Sequence, residues 1–363
     1  MDYNLSDVAA QFAIDGTLVE SVPYGTGHIN DTFLATFKFP RGTTCKYTFQ
    51  RVNHSIFKDV PGLMQNFQRV TEHLRGKLEA ESGRDPERET LRLIHGRDGL
   101  PYVRLENGDY WRVYLFVDGA RTFDEVQSTD QAYQAAHAFG EFQRALMDLP
   151  EPPLNETIPD FHHTPARFEK LKAAVEADAC GRARVASSDI EFAMAHEKMT
   201  PRVVEMLESG ALPWRVTHND TKINNVLIDD ATGRGLCVID LDTVMPGSVL
   251  YDFGDQIRTT TGTAAEDERD LGKVQFQLDM FESLVKGYLD AGRDFLTPAE
   301  VDLLAFSGSL ITFEIGIRFL TDFLEGDVYF KTHREGHNLD RARTQFEMVR
   351  QMEEQAEAMQ AIV

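Results

Sequence analysis

Three residues in the stretch VTHNDTKINNVLIDDATGRGLCVIDLDTVMPGSVLYDFGD, from Val216 to Asp255, have types and spacings suited to chemistry: Asp220, Asn225 and Asp240. Asp220 stands two residues after His218 and five before Asn225, the spacing of a proton-accepting carboxylate followed by a metal-ligating amide. Asp240 ends an apolar run and offers a second metal ligand. Asp242 faces the same way as Asp240 by strand alternation and is placed to share the ion. Phosphoryl transfer needs such a set: one carboxylate to take a hydroxyl proton, and oxygen ligands to hold magnesium on the nucleotide phosphates. Mg²⁺ keeps few protein ligands beside phosphate oxygens and water, so one Asn and one or two Asp suffice. Strand ends and turns also collect Asp for capping and solvation, which explains any one of these residues better than the whole set.

The elements that must aim these groups follow from local pattern. Trp214–Thr217, Asn225–Ile228 and Leu236–Leu241 read as strands, the last two joined by the hairpin-like turn Asp229–Gly235. His218–Asn224 and the residues after Leu241 are polar loops at strand ends, where a rigid sheet positions side chains. Upstream, Gly25-Thr-Gly27 lies between two predicted strands, Val19–Val22 and Thr32–Phe39. Glycines there let the backbone approach a phosphate. Such a turn joins many hairpins, and it reads as a nucleotide-covering loop only beside the downstream motif.

His218-Asn-Asp220 with Asn225, Ile239-Asp240-Leu-Asp242 and Tyr251-Asp-Phe-Gly254 together resemble the aminoglycoside and choline kinase group of the protein-kinase-like fold. The wording HNDTKINN, IDLDTVMPGS and YDFGD narrows the resemblance to bacterial N-acetylhexosamine 1-kinases, over nearly the whole chain. The resemblance implies an α+β, bilobal protein-kinase-like (aminoglycoside phosphotransferase) fold, with a small β-rich lobe over 1–117 and a larger, mostly helical lobe over 118–363. It implies ATP as phosphoryl donor with Mg²⁺, and a free N-acetylhexosamine phosphorylated at its anomeric hydroxyl. Asp220 would then be the catalytic base, Asn225 and Asp240 the metal ligands, and Asp252 a buried aspartate stabilising the loop. By the same resemblance His28, Asn30, Arg318 and Tyr329 border the sugar. Asn219 replaces the arginine of protein kinases, so activation through a phosphorylated loop is not implied. Gln50 occupies the strand position where kinases usually place a phosphate-binding lysine, with Arg51 beside it. The alternatives are a kinase of another small alcohol (another hexose, choline or an aminoglycoside) and a catalytically inactive nucleotide-binding protein.

The rest of the chain is read as scaffold. A short helix over 6–14 starts at Ser6, and a helix over 54–77 carries Met64, Phe67, Val70 and Leu74 inward, with Glu72 on its solvent face. Strands at Leu91–Ile94, Tyr102–Leu105 and Trp111–Phe116 lead to a linker. Helices follow over Tyr133–Met147, in two or three pieces over 165–210, and over Lys273–Leu289. Thr297-Pro-Ala-Glu300 opens a long apolar helix to about Glu325 with a capping box. Within it Glu314 and Arg318 are spaced to pair. His162 and His163 are read as loop residues, since neighbours point apart and no third metal ligand is near. Leu339–Val363 is a polar helix.

The 363 residues, 42% hydrophobic and 26% charged, are ordinary for a globular protein. A formal net charge of −22 without a basic run argues against nucleic acid and anionic lipid as partners. No apolar run reaches a membrane span's length and the N-terminus lacks a basic segment before an apolar one, so a cytoplasmic protein is expected. Cys45, Cys180 and Cys237 lie far apart, without metal-ligand spacing. The expected partners are a small sugar and a nucleotide, for a monomer or small homo-oligomer.

Overall fold

The computed structural model describes residues 3–25 and 29–363 and has the expected α+β bilobal form. The N-terminal lobe is an antiparallel sheet of β1 (Thr17–Pro23), β2 (Asp31–Lys38), β3 (Thr44–Val52), β4 (Leu93–Ile94), β5 (Val103–Arg104) and β6 (Tyr110–Leu115). Its path is β1-β2-β3-β6-β4, with β5 also on β6. The alternation in β3 decides its two faces: Tyr47 and Phe49 enter a core with Phe12, Phe37 and Trp111, and Thr48 and Gln50 face the other way. Gln50 lies directly across from Arg112 of β6. Helix α1 (Leu5–Ala9) is capped by Asn4 and ends sooner than expected, and helix α2 (Val60–Ala80) starts later. The delay has a clear cause: Asp59 accepts the Gly62 amide at 3.0 Å and Pro61 sits in the first turn, where its missing N–H costs nothing.

The linker contains β7 (Ala120–Arg121), which pairs with the strand at Val226–Asp229 and so ties the lobes together. Arg88 reaches the Gly119 carbonyl at 3.2 Å and the Asp229 carboxylate at 2.7 Å. The C-terminal lobe follows with α3 (Thr129–Ala145), α4 (Thr164–Ala177), α5 (Ser187–Ala195) and α6 (Arg202–Glu208). Next come β8 (Arg215–Thr217), β9 (Val226–Asp229), β10 (Gly235–Val238) and β11 (Met245–Gly247). The sheet order is β10-β9-β7, and β11 pairs with β8. Helices α7 (Val249–Thr260), α8 (Leu278–Gly292), α9 (Pro298–Asp302), α10 (Leu304–Glu325), α11 (His337–Glu354) and α12 (Ala356–Ile362) complete the chain.

Three expected helices are cut differently. The segment after Thr297 breaks at Leu303 into α9 and α10, although the Thr297–Glu300 capping box forms as expected. Glu300 also accepts from Arg215 at 2.9 Å, so the same cap anchors β8. The helix expected from Lys273 begins at Leu278, after a single 3₁₀ turn at Leu271–Lys273. The C-terminal helix divides at Gln355.

Helix α10 is long and apolar enough to cross a membrane, but 83% of its most apolar window is buried in this fold. It packs on α7 at Gly254, where a Cβ would lie 2.4 Å from the Ser307 carbonyl oxygen. Only glycine permits that approach, and it brings the start of α7, with Asp252, under the catalytic loop. Cys237 is buried, which pushes its thiol up to about 12; it is an apolar filler, as its isolation in sequence suggests.

Candidate functional site

The loop His218–Asn225 is held by buried hydrogen bonds. Asp252 is wholly buried; its Oδ2 accepts the His218 amide at 2.8 Å and its Oδ1 the Asn219 amide at 2.6 Å. Gln143 donates to the same carboxylate at 2.5 Å. Burial pushes the Asp252 pKa up despite these donors. His218, packed against Phe139 and Phe142, reaches the Ile239 carbonyl through Nε2 at 2.9 Å. Its Nδ1 accepts the Asp220 amide at 3.3 Å, so the proton belongs on Nε2. Asn219 takes a left-handed φ of 66° and donates to the Thr217 and Thr243 carbonyls, turning the chain so that Asp220 projects from the loop.

Asp220 and Asn225 come together as expected. Asn225 Nδ2 donates to the Asp220 carbonyl at 2.7 Å and to its carboxylate at 3.2 Å. Its Oδ1 is left as an acceptor, the atom a cation needs. Lys222 pairs with Asp220 Oδ1 at 2.7 Å. Burial works to raise the Asp220 pKa, but Lys222, His218 and Arg258 outweigh it and hold the carboxyl below its usual range. Asp240 sits next to this pair, with the Ile239 amide on the Asn225 carbonyl at 2.9 Å. Burial, then the Asp242 and Asp220 carboxylates, raise its pKa to about 6. An under-neutralised carboxylate beside a free amide oxygen fits a divalent cation, with Asn225 and Asp240 as its holders.

Asp242 is placed differently from its expectation. The strand stops at Val238, Asp240 takes a φ of 60°, and Leu241–Thr243 forms a 3₁₀ turn, so strand alternation does not apply. Asp242 turns into a buried ion pair with Arg112 and accepts from Asn30 Nδ2 at 2.7 Å. The side-chain oxygen of Asn30 takes the Asn53 amide at 2.9 Å, which leaves its amide engaged within the protein. Gln50 joins Arg112 to Thr32, at 2.9 and 3.0 Å. Arg51 points to the opposite face, onto Asp31 and Asp109 and over Tyr3, away from Gln50. Glu72 is exposed and bonded to Gln68, as the solvent-face reading has it. Gly25, with φ of 81°, leads into the glycine loop; Thr26, Gly27 and His28 lie outside the described residues.

The acceptor side also departs from its expectation. Glu314 does not pair with Arg318. It is fully buried, 2.8 Å from His162 Nδ1 and 2.6 Å from Thr164 Oγ1. His162 is therefore no ordinary loop residue: its Nε2 lies 3.1 Å from the Asn219 carbonyl, linking α10 to the catalytic loop. His163 caps α4. Burial opposes charge on His162, but Glu314 prevails and holds its pKa above the usual value. Arg318 lies over Phe330, 5.6 Å from the ring centroid, and Tyr329 is exposed beside the same ring. Arg167, half-buried, donates to the Asp160 and Phe161 carbonyls at 3.3 Å, and its Nε is buried without a partner. Burial first, then the nearby Arg318, lower its pKa. Among the described residues neither arginine has a carboxylate at salt-bridge distance. Lys222, His162, Arg167 and Arg112 are the site residues that sequence reasoning missed. The first lay inside the motif, as HNDTK; the others depend on pairings far along the chain.

The pattern that defines the phosphotransferase enzyme family (APH) matches residues 23–288. Among solved structures the fold is similar to a microcompartment-associated aminopropanol kinase, at 15% identity and a TM-score of 0.63, covering 98% of this chain and 97% of that one. It is also similar to a spectinomycin phosphotransferase in complex with ADP and spectinomycin, at 14% identity and a TM-score of 0.55, covering 98% and 97%. The ethanolamine kinase of Plasmodium vivax aligns at 13% identity with a TM-score of 0.54, over 92% of this chain and 84% of that one.

Proposed function

This chain belongs to the APH phosphotransferase enzyme family, and we propose that it transfers the γ-phosphoryl group of ATP to the anomeric hydroxyl of an N-acetylhexosamine. The observation that carries the transfer is the grouping of Asp220, Lys222 and Asn225 beside Asp240. Asp220, kept ionised by Lys222, accepts the hydroxyl hydrogen bond and takes the proton as the sugar oxygen bonds to the γ-phosphorus. The bond from that phosphorus to the ADP oxygen breaks in the same step. Lys222 offsets negative charge next to the reacting oxygen. Asn225 and Asp240 would hold Mg²⁺, which would supply electrostatic neutralisation of the nucleotide phosphates. The rest of the work is positioning by Asp252 and His218, which fix the loop.

The acceptor reading is supported by Arg167 and Arg318. Guanidiniums only donate, and the nearby Glu314 is consumed by His162 and Thr164. Two such donors suit hydroxyls, a ring oxygen and an acetamido carbonyl, and their positive charge opposes an ammonium group, so aminoglycoside, choline or ethanolamine is the poorer acceptor.

The test is ATP consumption with Mg²⁺ across N-acetylglucosamine, N-acetylgalactosamine, glucose, galactose, choline and kanamycin, with the product examined for phosphorus coupling to the anomeric proton. A 1-phosphate of either N-acetylhexosamine is expected. Turnover with choline or kanamycin alone would keep the Asp220 chemistry and reject the sugar.

A further inference from the structure

Gln50 occupies the position at which a lysine is usual in kinases, and the residue directly across the ladder is Arg112. Arg112 has a side chain 1% exposed and is stacked on Phe67 of α2, 4.9 Å from the ring centroid. Its Nε donates to Gln50, and its Nη1 donates to Asp242 Oδ1. The other Asp242 oxygen accepts from Asn30, whose own oxygen takes the Asn53 amide. Asn66 of α2 donates to the Val244 carbonyl at 3.1 Å, on the same segment as Asp242.

We propose that Arg112, Asp242 and Asn30 form a brace that fixes the segment carrying Asp240 against β6 and the start of β2, with Asp242 acting as a positioning residue and not as a metal ligand. Both Asp242 oxygens are already used. Turning the carboxylate onto a metal would leave a buried guanidinium without a counter-charge, which is far costlier than leaving the pair intact. Glu72 of α2 is exposed, bonded to Gln68, and takes no part in the brace. The inference rests on the phosphotransferase reading for the nucleotide and is independent of the acceptor's identity.

The two roles of Asp242 predict opposite signs for the loss of Arg112. If Asp242 were a ligand restrained by Arg112, removing the arginine would free it and tighten metal binding. If the brace holds, removing the arginine loosens the Asp240 segment and weakens binding. The measurement is calorimetric titration of the full chain with ADP, in Mg²⁺ and in EDTA, for Arg112→Gln, Asp242→Asn and the double variant. We expect each single change to weaken Mg·ADP binding by roughly tenfold, within the range of coupled neighbours. The double variant should be no weaker than the worse single by more than about threefold. Arg112→Lys should recover part of the loss, and binding in EDTA should change less. Tighter Mg·ADP binding by Arg112→Gln, additive losses, or native affinity in folded variants would each overturn the brace. Should the Arg112 variants not fold, Asn30→Ala tests the same brace from its less buried end. A severalfold weakening of Mg·ADP supports it, and unchanged affinity overturns it. Failure of the native chain to bind ADP at all would instead defeat the nucleotide reading.

Discussion

Asp220 and Asp240 are close enough to repel, yet their environments drive them apart: Lys222 holds the first ionised while burial, and then the neighbouring carboxylates, push the second up to about 6. That division suits one carboxylate for the proton and one for a cation. Asp220→Asn keeps the shape, removes the proton acceptor and relieves the crowding. Turnover should fall by about 10² to 10⁴, the usual range for a general base, while Mg·ADP affinity stays within a few fold. Turnover within about tenfold of the native value would remove Asp220 from the role. Lys222→Met gives a pH signature. Lys222 lowers the Asp220 pKa, so its loss raises that pKa and moves the acidic limb of kcat/KM upward. Activity at pH 6 should fall more than at pH 8, and an unmoved limb would show that Lys222 does not tune Asp220. At this scale the grouping of Asp220, Asn225 and Asp240 was legible because one loop and one hairpin carry them, with Asp252 a short way on in α7. The partners of Asp242 were not, because Arg112 on β6 and Asn30 just before β2 lie in the other lobe and spacing does not encode a fold-dependent pairing.

Among the elements, α10 does more than fill the core. Glu314 of α10 and His162, just before α4, meet without solvent, and His162 passes the contact to the Asn219 carbonyl. The i, i+4 spacing suggested Glu314 with Arg318, but burial selected the imidazole, which is the more easily desolvated partner. His162→Ala leaves Glu314 buried and uncompensated. A loss of about 3 kcal/mol of stability is expected, measured by denaturant unfolding. The pH dependence follows from both partners. The raised His162 pKa gives stability that is full below about 6.5 and is lost as pH rises through the folded value. The lowered Glu314 pKa gives stability present above about 4.5 and lost as pH falls through the folded value. The stability difference between native and His162→Ala should therefore peak between those limits and shrink on both sides. A flat difference would mean that the pair is not ionised. A second element-scale test is Gly254→Ala. The added Cβ would lie 2.4 Å from the Ser307 carbonyl, so α7 must move off α10. Destabilisation of about 1–3 kcal/mol is expected, with kcat reduced further because Asp252 moves with α7. That α2, α4 and α10 exist was readable from their sequence pattern, whereas α7 falls where a polar loop was expected after Leu241. Their ends were not: Asp59 with Pro61 delays α2, and the break at Leu303 divides a run that hydrophobic pattern alone joins.

For the whole molecule, the question is whether the two lobes behave as one cooperative body. The bilobal plan was legible, since a strand-rich first third gives way to helices near Val117, but the strength of the join was not. Three sets of contacts contribute to it. β7 of the linker pairs with β9, Arg88 anchors the linker to Asp229, and Arg112 with Asn30 grips Asp242 across the cleft. The last set includes a fully buried ion pair, which is lost only if the lobes separate, and separation would expose two charges without partners. We therefore expect a single thermal transition for the native chain. On the proposed reading, a nucleotide that shares a cation with Asn225 and Asp240 binds only the folded body, so it should shift that whole transition. At a hundred times its dissociation constant the added stability is about 2.7 kcal/mol, a rise of a few degrees for a chain of this size. Omitting Mg²⁺ should remove most of the shift, since Asn225 and Asp240 then have no ion to share with the phosphates. In Asp242→Asn the join is weakened at its buried centre. The transition should broaden or split, with the nucleotide moving one part more than the other. A native protein that already melts in two steps, only one of them sensitive to Mg·ADP, would mean that the lobes fold as independent units and that the Arg112–Asp242 pair does not bind them into one.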